Sequence, residues 1–134
     1  MYNSTQARTA IVKRIQEFLG IESSKIQWMN QSDFKPPKDS LWCRVNIQYS
    51  DSMPSGIHFG QLERDYGIIS IQCFDKKGFG DDRITSLIDD WREHFKGWTS
   101  EYLQVYQTHA PAPLYSDVND NYFGYVLKID FRVN

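Results

Sequence analysis

Apolar residues recur along this chain with two different periods, and each change of period marks a boundary between elements. Near the N-terminus Ala7, Ile11, Ile15, Phe18 and Leu19 are spaced by three and four, which puts them on one stripe of a helix. Asn3, Ser4 and Thr5 can cap its start, and Gly20 is a natural stop. The short apolar group Ile26, Trp28 and Met29 precedes Pro36-Pro37, where helix is forbidden and extended chain favoured, so a short strand or bridging segment is predicted. Residues 41–49 alternate Cys43, Val45, Ile47 and Tyr49 against Trp42, Arg44, Asn46 and Gln48. That period of two predicts a half-buried strand with Trp42 on its wet face. Residues 66–74 set Ile69, Ile71 and Cys73 against Ile68, Ser70, Gln72 and Phe74, so both faces are partly covered and the strand is expected to be central.

Gly78 and Gly80 break this strand, and Ile84, Leu87, Ile88, Trp91 and Phe95 then restore the helical spacing up to Gly97. Two further alternating runs follow. In 102–108 Leu103 and Val105 oppose Gln104, Tyr106 and Thr108, and in 122–133 Phe123, Tyr125, Leu127, Ile129, Phe131 and Val133 share a face. Segments 51–61 and 109–121 are rich in Gly, Pro, Asp and Asn and read as loops. The order predicts a single α+β domain, 1–134, built on a mainly antiparallel four- to five-stranded sheet with two helices packed on one face. The second helix is expected over Val45, Ile47, Ile69 and Ile71.

Hydrophobic residues make up 40% of the 134, enough for one packed core. No apolar run approaches the roughly 20 residues needed to span a bilayer, so no membrane is expected and synthesis in the cytoplasm is. With 15 basic and 17 acidic residues the net charge is −2, which supplies no overall field for gripping nucleic acid. The only cysteines, Cys43 and Cys73, fall on apolar strand faces and read as reduced core residues.

Candidate chemistry is thin. The three histidines, His58, His94 and His109, have no metal-ligand spacing and read as surface or packing residues. Asp81-Asp82 and Asp89-Asp90 are adjacent pairs that point about 100° apart on a helix, which suits capping and a solvated face better than proton transfer. Lys76-Lys77-Gly78-Phe79-Gly80 is in the wrong order for a phosphate loop, and the aspartates after it repel phosphate. Asp117, Asn119, Asp120 and Asn121 lack the Gly and terminal Glu of a calcium loop. No catalytic, metal or cofactor residue is assigned, and no enzyme is expected. The unusual weight is aromatic: Trp42, Tyr106 and Tyr122 on wet strand faces, with Phe59 and Tyr115 in loops, where burial between subunits is the leading use.

Four stretches carry a resemblance: Phe34-Lys35-Pro36-Pro37 ahead of 41–45, then 67–74, then Gly78-Phe79-Gly80-Asp81 opening a helix, and a closing 124–131. In this order they resemble the small tail-terminator-like proteins of long-tailed bacteriophages, including phage-related proteins similar to the lambda tail terminator. The resemblance implies a virion structural protein that forms a ring, a hexamer matching the tail tube. Such a ring caps the tube and joins it to the head-tail connector in the neck. The partners implied are further copies of itself, the tail tube protein and the connector, with DNA only as passing cargo. Expected interface residues are Trp42, His58, Phe59, Tyr106, Tyr115 and Tyr122. Asp81, Asp82, Asp89, Asp90 and Glu93 are candidate lumen carboxylates that would keep DNA from sticking. Rival readings are a small ligand- or peptide-binding module, a neighbouring head-tail completion protein and an unrecognised hydrolase.

Overall fold

A computed structural model describes residues 2–31, 33–37, 40–50, 53–54, 63–78, 80–114 and 122–134. The first helix, α1 (Ser4–Gln16), starts with a reciprocal cap. The Asn3 side chain accepts the Gln6 N–H and the Gln6 side chain accepts the Asn3 N–H, so two otherwise orphaned donors are satisfied. Ala7, Ile11, Ile15 and Phe18 enter the core as their spacing predicts, whereas Leu19 is 96% exposed because the helix has already ended. A single 3-10 turn, Ser23–Lys25, leads into the two-residue strand β1 (Ile26–Gln27).

The remaining strands are β2 (Trp42–Tyr49), β3 (Met53–Pro54), β4 (Glu63–Lys76), β5 (Thr99–Ser100), β6 (Leu103–Thr108), β7 (Ala112–Leu114) and β8 (Tyr122–Val133), with α2 (Asp82–Phe95) between β4 and β5. Pairing runs β1-β2-β4-β8-β6-β5, with β7 also on β8. These strands form a curled mixed sheet of seven, a half-barrel, and β3 adds a two-residue arm against the start of β4. The architecture therefore corrects the expected four- to five-stranded, mainly antiparallel sheet. It has more strands, it curls, and its first pair, β1 with β2, is parallel.

The extra strands β3, β5 and β7 are two or three residues long, too short to show an alternation that sequence reading could detect. The C-terminal strand is the centre of the sheet: twelve residues of β8 pair with β4 on one flank, and β6 and β7 share the other. Since β4 and β6 are both antiparallel to β8, they are parallel to each other, and α2 is the crossover that such a connection requires. α2 consequently lies chiefly over β8, with β4 and β6 beside it, and less over β2, the strand of Val45 and Ile47, than the order of elements suggested.

Ile84, Leu87, Ile88, Trp91 and Phe95 are all buried in one cluster with Val45, Ile69, Ile71, Leu127, Ile129 and Phe131. The Phe18 and Trp91 rings stack with centroids 3.7 Å apart, which joins the two helices. Gly67 is required in β4: a Cβ there would enter the Phe131 ring and come within 2.7 Å of the Gln48 carbonyl oxygen. Gly97, at φ +70, ends α2 in the left-handed conformation that glycine adopts without strain.

Candidate assembly surfaces

Three groups of polar contacts stiffen the frame that carries the surface. Asp75 is fully buried at the end of β4, where its carboxylate accepts the Lys76 N–H at 2.8 Å and both Nε and an Nη of Arg83. This fork ties the strand to the first turn of α2, and it holds the Arg83 proton more tightly than usual through the hydrogen bond to Asp75. At the other end of α2, Arg92 donates to the Thr108 hydroxyl at 3.1 Å and to its carbonyl at 3.3 Å. A bulge at Tyr106 makes this possible. The β6 register to β8 shifts between Val105 and Gln107, so Thr108 lies opposite Ile129 and not on the Tyr106 side that simple alternation predicts. His109 then bonds Asp130 at 2.8 Å.

The aromatic residues expected at an interface separate into two kinds. Trp42 is 1% exposed. Its ring stacks on Phe74 with centroids 4.4 Å apart, meets Tyr122 edge-on at 5.5 Å and Phe34 at 5.5 Å. The Tyr122 hydroxyl donates to the Pro37 carbonyl at 3.3 Å. The segment around Phe34 and Pro37 thus packs over this end of the supposedly wet sheet face, and Trp42 and Tyr122 belong to an intrachain cluster. Tyr106 is different. It is 47% exposed, edge-on to Tyr66 with centroids 6.3 Å apart and with the Arg132 guanidinium 6.0 Å from its ring. Burial, then Asp130, raises its hydroxyl pKa above the ordinary tyrosine value. His58, Phe59 and Tyr115 lie outside the described residues, as do the oxygen-rich positions Asp117, Asn119, Asp120 and Asn121.

Asp81, Asp82, Asp89, Asp90 and Glu93 are all exposed on the outer side of α2. Asp81 occupies the N-cap position, where its carbonyl accepts the Thr85 N–H and hydroxyl while its own side chain makes no cap bond. Among the described residues no group of three or more His, Cys, Asp or Glu could hold a metal ion, and no helix is long and apolar enough to cross a membrane.

Two open clefts lie on the β1 side of the sheet. One, of about 500 Å³, is lined by the carboxamides of Gln27, Asn30, Gln31, Asn46 and Gln72 together with Arg44 and Trp28. Arg44 donates to Gln72 at 2.7 Å on its floor. The other, of about 450 Å³, lies between α1 and β2 and includes Arg8, Met29, Ile47 and Tyr49. Neither was legible in the sequence as a site. The one available signal was that the apolar group at 26–29 is too short to cover all of β2, which leaves part of that strand as an edge.

No family profile and no curated protein matches this chain. Nine chains of solved structures do match in fold. One of them, 15% identical, superposes with a TM-score of 0.68 over 100% of this chain and 97% of its own. At that identity the likeness concerns the fold alone.

Proposed function

We propose that this protein is a virion structural subunit of the tail-terminator kind. It assembles with copies of itself into a ring, a hexamer by analogy with the proteins it resembles. The ring caps the tail tube and joins it to the head-tail connector, and DNA passes without being held. The observation that carries this reading is the pair of unlike flanks of the half-barrel. One ends in the short β1 and the edge of β2, the other in β5 and β6, which offers two different patches for a contact between copies. A heterologous contact of that kind builds a ring when its rotation closes. Sizing the protein over a range of concentrations, alone and with purified tail tubes, followed by negative-stain imaging, tests the reading. Rings at tube ends support it, and protein that stays monomeric beside intact tubes overturns it.

A small ligand- or peptide-binding role has one specific support, the carboxamide-lined cleft with Arg44 and Trp28. The amide groups there that are not taken up by Arg44, Trp28 or the Gln31 carbonyl can present donors and acceptors to a peptide main chain or to sugar hydroxyls. Saturable binding of such a ligand by a stable monomer, lost in Gln72→Ala, would favour that role over assembly.

A further inference from the structure

We infer that the flank made by α1 and the outer edge of β2 receives the α2 flank of a second copy of this chain, head to tail. This rests on the ring-forming reading and names the contact that builds the ring.

Among the described residues, the outer edge of β2 has no strand partner beyond Arg44. Ser50 N–H donates to the Tyr66 carbonyl at 2.8 Å, so in the antiparallel ladder the even-numbered residues of β2 turn their main-chain groups toward β4 and the odd-numbered ones turn theirs outward. β1 pairs only with Cys43 and Arg44. Beyond it, the Ile47 N–H meets the Met29 sulfur at 3.1 Å, a weak acceptor, and Tyr49 has no strand partner on that side among the described residues. Met29 and Tyr49, 48% and 41% exposed, line the cleft beside this edge with Arg8. On the opposite flank β5 pairs with Leu103 and Gln104, and two further main-chain groups are engaged. The Val105 N–H goes to the Trp98 carbonyl at 2.9 Å, and Arg92 covers the Thr108 carbonyl.

Charge identifies the occupant. α1 carries Arg8, Lys13 and Arg14 and no acidic residue. Arg14 is engaged with the His94 carbonyl, while Arg8 and Lys13 are exposed and in no ion pair among the described residues. In α2 the two arginines are turned onto Asp75 and Thr108, which leaves Asp82, Asp89, Asp90 and Glu93 exposed, again without an ion pair among the described residues. The exposed side chains of α1 are thus basic, with Arg8 beside the β2 edge, Lys13 further round the helix and Glu17 just beyond its end, while those of α2 are acidic. A two-fold contact that sets each helix against its own copy would oppose like charges, whereas a head-to-tail contact sets α1 of one copy against α2 of the next. Two exposed cations are too few to track a nucleic-acid backbone.

The test is a charge exchange. Arg8→Glu with Lys13→Glu makes both flanks acidic, and Asp89→Lys with Asp90→Lys makes α2 basic. Self-association of each double variant, by sedimentation equilibrium and on tail tubes, is expected to fall by at least about tenfold. An equimolar mixture of the two should recover it, because each then offers the flank the other lacks. Carbodiimide cross-linking of wild-type assemblies should join Lys13 to Asp89, Asp90 or Glu93 of a neighbour, which needs no variant to fold. Double variants that associate like wild type, a mixture that does not recover, or rings cross-linked only elsewhere would overturn this contact while leaving the ring reading in place. Wild-type protein that forms no ring at all would overturn both.

Discussion

Arg14 and His94 each hold the other's main chain. The Arg14 guanidinium donates to the His94 carbonyl, and His94 Nε2 donates to the Arg14 carbonyl at 2.7 Å. Both carbonyls lie in the last turn of their helices, where no intrahelical donor reaches them, so one reciprocal pair satisfies a carbonyl at each C-terminus and ties α1 to α2. Burial, the largest influence, holds the His94 pKa below its ordinary value of 6.5. A depressed histidine binds fewer protons folded than unfolded, so its contribution to stability is present above 6.5 and is lost as pH falls through the folded value. The melting temperature is expected to drop on acidification below that point, and less steeply in His94→Gln. Parallel slopes for the two proteins between about pH 8 and about pH 5 would remove His94 as the cause.

Asp75→Ala should cost about 3 kcal/mol, the low end for breaking a buried pair because Arg83 keeps contact with water. The loss has two parts: the Lys76 N–H loses its acceptor and the Arg83 fork loses its target. Urea unfolding of both single variants and of Asp75→Ala with Arg83→Ala measures it. The double variant should lose less than the sum of the singles, and additive losses would show that the fork contributes nothing as a unit.

Trp42→Ala and Trp91→Ala should each destabilise the subunit by about 3 to 5 kcal/mol, since both side chains are buried against stacked rings. Tyr106→Ala, at an exposed position, should cost under about 1 kcal/mol in the free subunit and weaken assembly instead. The comparison of Trp42 with Tyr106 by chemical unfolding decides which aromatic residue serves the subunit and which its contacts. Equal tolerance at the two positions would contradict the burial of Trp42.

Cys43 and Cys73 face each other across β2 and β4 with sulfurs 3.4 Å apart, both fully buried, and burial pushes the Cys73 thiol well above its ordinary pKa. Neither thiol should react with a disulfide reagent in the native state, while both should react at once in denaturant. Rapid native labelling of one equivalent would show that this part of the sheet opens readily.

The spacing of apolar residues was enough to place both helices and the longer strands, because periods of 3.6 and two are local properties of a backbone facing one core. It also identified the α2 stripe, since Ile84, Leu87, Ile88, Trp91 and Phe95 follow a single helical face whatever they pack on. Strand order is different in kind. Nothing near residues 122–133 records that β8 inserts between β4 and β6, a pairing selected by hydrogen bonds to chain some 50 residues away. The same limit explains Trp42, which alternation puts in water and Phe34, Phe74 and Tyr122 bury, and Thr108, which one extra residue at Tyr106 turns toward Arg92. The two flanks of the half-barrel arise only when the sheet is assembled: which strand stops early, and which charges its neighbours leave unpaired, are consequences of contacts between distant segments.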